Sequence, residues 1–215
     1  MSQSNAGRTS AWKQDVLFRG RRLEYLTLAW NSLEGTVGIV AGVLAGSIAL
    51  VGFGFDSVIE CASGAALLWR LVGGETGERR EQTALRAVGV CFLLLAAYVA
   101  WGAIGSLAKH EAPQESIVGI CVAATALIAM PLLARAKRRV AHELNSGAMQ
   151  ADSRQTDLCA YLSAILLGGL LLNATLHWWW ADPVAALLMV PIIAHEGWDA
   201  LRGKTCPQCH SCDTK

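Results

Sequence analysis

Charge is what this sequence has little of: 16% of its 215 residues are Asp, Glu, Lys or Arg, where a soluble domain carries about 25%. Neither sign dominates. Eighteen Lys and Arg against 17 Asp and Glu leave a net +1, which excludes the basic footprint of a nucleic-acid binder and the acidic excess of a disordered tail. Cysteine is thin as well, 7 residues spread along the chain and odd in number, so a disulfide scaffold is excluded. What fills the space is apolar: 53% hydrophobic residues, with 21 Gly and 8 Trp.

A membrane-spanning helix needs about 20 mostly apolar residues. Six such stretches stand between charged punctuation, at 23–46, 47–72, 87–107, 117–134, 151–176 and 181–203. They predict an all-α polytopic membrane protein organised as a polar arm (1–22), a six-helix membrane domain (23–203) and a Cys-rich tail (204–215). Lys and Arg collect before the first span, around the second-to-third and fourth-to-fifth connections and after the sixth, while the other connections hold only Lys109. By the positive-inside rule both termini are then cytoplasmic, which agrees with an even number of crossings. The first residues are polar and the first apolar run is long, so no cleavable signal is expected, and the destination is the inner or plasma membrane. His177, Trp178, Trp179 and Trp180 read as an interfacial aromatic belt, and Asp182-Pro183 as the N-cap and first residue of the sixth helix. Gly35, Gly38, Gly42 and Gly46 form a small-residue stripe suited to close helix packing.

The polar residues at membrane depth carry the functional information. Glu34 lies in the first span and Asp56 and Glu60 in the second; an acid at a helix centre costs about 2.5 to 3.5 kcal/mol on the insertion scale, so these three cannot face lipid. On a 3.6-residue period Thr27, Asn31, Glu34 and Gly38 share one stripe, Asp56, Glu60 and Ser63 a second, and Asp152, Gln155, Cys159 and Ser163 a third. Carboxylates at i and i+4 put two oxygen ligands on one face, an arrangement suited to a divalent cation. Ligation requires deprotonated groups, so metal and protons compete for the same site. The bland alternative is that the acids only hydrogen-bond neighbouring helices. Asp157 lies nearly opposite Gln155, three residues from Arg154, where an interfacial ion pair is the plainer reading. His142, Glu143, His195 and Glu196 read as solvated helix ends, and Cys61, Cys91 and Cys121 as small hydrophobes.

Four segments resemble the membrane domain of the cation diffusion facilitator family: Asn31-Ser32-Leu33-Glu34, Ala45 to Leu50 running into Gly54 to Glu60, Ala151-Asp152-Ser153, and Ala181 to Leu187. The resemblance implies a secondary transporter, not an enzyme, that exports zinc or a related divalent metal in exchange for protons, with no tightly bound cofactor. It implies a metal site in which two acids of the second span, carried over onto Asp56 and Glu60, meet a His and an Asp of the fifth. Matching the Ala-Asp opening puts Gln155 and Cys159 at that second pair; a shift of two residues uses Ser153 and Asp157 instead, and both alternatives stay open. Asn31 and Glu34 are secondary candidates. The histidine is absent in either register, and ligand softness puts zinc first, with manganese, iron, cobalt and nickel behind it. Most of the family carries a soluble domain after span six, so a homodimer here is expected to form through the bundle, within lipid.

The tail packs Cys206, Cys209, His210 and Cys212 into seven positions, a second metal-binding candidate able to gather cytoplasmic metal. Two other function classes fit parts of the pattern. A membrane metal sensor would bind metal in the same pocket without flux, and a membrane thiol oxidoreductase would use Cys206 and Cys209 and leave the buried acids without a purpose.

Overall fold

The computed structural model describes residues 2–73, 78–111, 113–144 and 146–202. These form six helices: α1 (Ser2–Ala45), α2 (Ile48–Gly73), α3 (Glu78–Lys109), α4 (Ile117–Leu144), α5 (Gly147–Leu176) and α6 (Ala181–Leu201). All six are long and apolar enough to cross a membrane, and the described residues contain no strand. The expected all-α, six-span architecture is therefore what the chain adopts. Residues 2–22, expected as a polar arm, continue α1 without a break, and α4 runs ten residues past the expected end at 134. The run Arg135–Leu144 is rich in Ala, Arg, Lys, Glu and Leu, strong helix formers that need no membrane to stay helical.

Three helix pairs pack most extensively: α1 with α2, α4 with α5, and α3 with α6. The first two pairs join edge to edge, α1 against α4 and α2 against α5, while the α3–α6 pair lies against α2 and α5. So α2 and α5 are the central helices, and polar groups on their inner faces are shielded from lipid on several sides. The α1–α2 hairpin owes its closeness to glycine. A Cβ on Gly54 would stand 2.7 Å from the backbone nitrogen of Ile39, a contact no other residue could make. Gly35, Gly38 and Gly42 face α2 as the stripe predicts, but Gly46 serves the turn, with φ +67 and open space around it.

Asp182 departs from its expected role. The N-cap of α6 is Trp180, which makes no side-chain cap; the Asp182 carboxylate instead accepts from Ser47 Oγ and the backbone N–H of Ala49, closing the start of α2. Ser47 Oγ in turn accepts from Leu50 N–H at 3.1 Å. The acid does cap a helix, but one from the far end of the sequence. His177 and Trp178 to Trp180 gather at the α5–α6 connection, where Trp178 and Trp180 stack at 4.9 Å and Trp179 lies 4.6 Å from His110.

At the opposite end α1 lies across the α4–α5 hairpin. Val16, Val140, Ala141 and Met149 make a small apolar cluster there, and Arg19 pairs with Glu143 at 3.1 Å. Just inside it Lys137, completely buried, is held by Glu24 of α1 at 3.3 Å and by Asp152 of α5. This ion triad ties three helices together.

Candidate metal site

Asp56 and Glu60 sit on successive turns of α2 and both face inward, because the opposite face of that stretch, with Phe55 and Val58, is exposed where lipid would be. Cys159 projects from the buried face of α5 toward them. One ligand atom from each of these three residues lies within 4.8 Å of the other two, close enough for all three to share one ion. Their side chains are 4%, 7% and 0% exposed respectively.

The surroundings hold these groups in place. Asn31 of α1 donates from Nδ2 to Glu60 Oε2 at 2.8 Å, which fixes that carboxylate. Ser57 Oγ donates to Glu34 Oε1 at 3.1 Å, and the Cys159 thiol points to the same oxygen from 3.8 Å. Gln155, one turn before Cys159, lines the same pocket and accepts from Ser63 Oγ at 3.1 Å through its Oε1. Buried polar atoms are normally paired, yet here Asp56 Oδ2, Glu34 Oε2, Asn31 Oδ1 and Gln155 Nε2 have no hydrogen-bond partner. Each such atom costs about 1–3 kcal/mol when left unpaired, and the three oxygens among them are free acceptors, while Gln155 Nε2 is a free donor.

Asp157 is not part of this cluster. Its carboxylate is gripped by the Arg138 guanidinium of α4, Oδ2 to Nη1 at 2.9 Å and Oδ1 to Nη2 at 3.2 Å. The expected ion pair is present, with Arg138 as partner rather than Arg154. Of the two registers left open on the fifth span, the helix turns Gln155 and Cys159 toward α2 and Asp157 toward α4. The tail candidates Cys206, Cys209, His210 and Cys212 lie outside the described residues.

Three contributors escaped the sequence reading, Glu196, Glu24 and Lys137, whereas Asp152 was already placed on the α5 stripe. Glu196 of α6, read as a solvated helix end, lines the pocket with Asp56 and Glu60. Glu24 and Asp152 clasp Lys137 one level nearer the Leu201 end. Glu24 was detectable: Glu24, Thr27, Asn31 and Glu34 follow one helical stripe, all buried. Lys137 was hidden in a cationic run with Arg135, Arg138 and Arg139, where it reads as a topology signal.

Residues 25–204 match the family model of the cation efflux transmembrane domain. No curated protein matches the chain.

Proposed function

The chain belongs to the cation diffusion facilitator family of metal cation efflux transporters, and from that premise we propose that it carries a divalent transition metal out of the cytoplasm against protons, with zinc as the preferred cargo. Asp56, Glu60 and Cys159 are the ligands in this reading, two carboxylate oxygens and a sulfur from the two central helices. Gln155, with its amide turned to present Oε1, or a water completes a four-coordinate shell, with Asn31 holding Glu60 and Glu34 standing behind Cys159. A thiolate beside two carboxylates suits zinc and the borderline ions better than manganese.

The chemistry of exchange follows from the ligands. A thiol and carboxylates bind metal only once deprotonated, so loading an ion on the cytoplasmic face expels protons, and protons arriving from the other face displace the ion outward. Metal affinity therefore falls as pH falls. Both termini are cytoplasmic in this scheme, the protein resides in the cell membrane, and a homodimer forms through the bundle.

One observation carries the reading: three ligand atoms from α2 and α5 within 4.8 Å of one another, buried in the interior of the bundle. The test is uptake of zinc, manganese, iron, cobalt and nickel into inside-out proteoliposomes under an imposed pH gradient. Zinc flux that needs the gradient and drops to background in the Asp56→Ala, Glu60→Ala double variant is the expected result. Flux that survives the double variant would overturn the site, and metal binding with no flux would make the protein a sensor.

A further inference from the structure

Glu196 is an acid of the pocket that the α2–α5 ligand set does not use. It projects from α6 into the space lined by Asp56, Glu60, Gln155 and Cys159. Its sequence neighbours His195 and Asp199 pair with each other at 3.6 Å on the more exposed side of the helix. Among the described residues, no hydrogen bond or ion pair engages the Glu196 carboxylate itself. Two buried, unpartnered atoms line the same pocket, Asp56 Oδ2 and Gln155 Nε2, so the space Glu196 borders is one whose walls lack a polar partner.

Its depth sets it apart from the other acids. Glu196 is five residues from the Leu201 end of α6, about 8 Å along the helix at 1.5 Å per residue. Toward the other end the pocket is stopped by Leu162 and Ile193, behind which Leu166, Met189 and Phe53 are completely buried. The acid side of the pocket thus faces the Leu201 end and the apolar plug faces the Ala181 end. A hydrated dication gives up its water reluctantly, and moving it into an apolar bundle in one step is expensive. A half-buried carboxylate at the mouth divides that step, replacing some water while the rest remains.

We propose that Glu196 is the capture ligand of the transport pathway: a divalent cation approaching from the Leu201 end is held first by Glu196 and then handed to Asp56, Glu60 and Cys159. The proposal rests on the transport reading above, with the Leu201 end cytoplasmic. Glu196 acts on arrival and release and contributes nothing to the final shell.

Stopped-flow mixing of the full-length protein in detergent with Co2+ tests this, because ligation of Cys159 produces a sulfur-to-cobalt absorption band. In Glu196→Gln the band should form several-fold more slowly yet reach the wild-type amplitude, with Glu196→Asp intermediate. Full amplitude also reports that the variant is folded. The deficit should persist at about 1 M salt, where long-range steering is screened and direct ligation is not. An unchanged rate in Glu196→Gln would overturn the proposal. So would a deficit that vanishes in high salt, which is steering alone, or a loss of final amplitude in well-folded monodisperse protein, which makes Glu196 a permanent ligand. A wild-type protein with no cobalt–thiolate band, or a band that survives Asp56→Ala with Glu60→Ala, would instead strike the ligand set.

Discussion

At Cys159 a single sulfur sets the chemical character of the site. Its neighbours in the cluster offer only carboxylate oxygen, so removing the sulfur leaves a hard donor set that favours manganese relative to zinc. Cys159→Ser should weaken zinc binding by at least about tenfold, the loss that removing even an outer partner of a metal causes, while manganese affinity stays within about threefold. Competition titrations of the two ions against the same protein check this, and equal losses for both would remove Cys159 from the shell. Asn31 acts one step out. Asn31→Ala frees Glu60 Oε2 and should cost about 10-fold in zinc affinity with the selectivity order unchanged. The sequence made much of this readable: Asp56 and Glu60 at i and i+4 in an apolar run, and Cys159 on the α5 stripe, follow from helical period alone. Choosing between Cys159 and Asp157 needed the rotation of α5 against α2 and α4, which the period does not contain. Glu196 was misread for a related reason, since four of its six nearest neighbours, Ala194, His195, Gly197 and Asp199, are polar or small and resemble a solvated end.

Helices α1, α4 and α5 are joined by a device that propensity and hydropathy cannot foresee. The ion triad depends on α4 continuing as a helix beyond its expected end at 134, so that Lys137 meets Glu24 and Asp152 at one level. Element number and order were legible because apolar length reports them directly; the helical continuations were not, because their polar residues match both loop and solvated helix. A buried ion pair is worth little against a well-packed apolar replacement, but breaking one strands a charge. Lys137→Met alone leaves Glu24 and Asp152 facing each other and should cost about 3–5 kcal/mol. Replacing the whole triad, Glu24→Leu, Lys137→Met and Asp152→Leu together, should restore stability to the wild-type value or above it. Thermal unfolding in detergent measures both. A triple variant as unstable as the single one would show that the three residues do more than neutralise one another.

Over the whole bundle, the Asp56–Glu60–Cys159 cluster and the ion triad fasten different things. The triad binds α1 to the α4–α5 hairpin, whereas the cluster joins α2 to α5, the helices that also meet the α3–α6 pair. Asp152 and Cys159 are seven residues apart on α5, about 10 Å along its axis, far enough for their effects on stability to add. A ligand that binds only the folded protein stabilises it by mass action, about 2.7 kcal/mol when present at 100 times its Kd. Zinc at that excess should therefore raise the unfolding temperature of the wild-type protein by several degrees. The double variant Asp56→Ala, Glu60→Ala should lose the zinc-dependent rise, while Lys137→Met should start from a lower temperature and keep the rise in full. If Lys137→Met abolished the rise, the triad would be setting the geometry of the metal ligands rather than only holding the helices. That outcome would make α5 a rigid lever between the two sites, through which metal binding at Cys159 is felt at the α1–α4 contact.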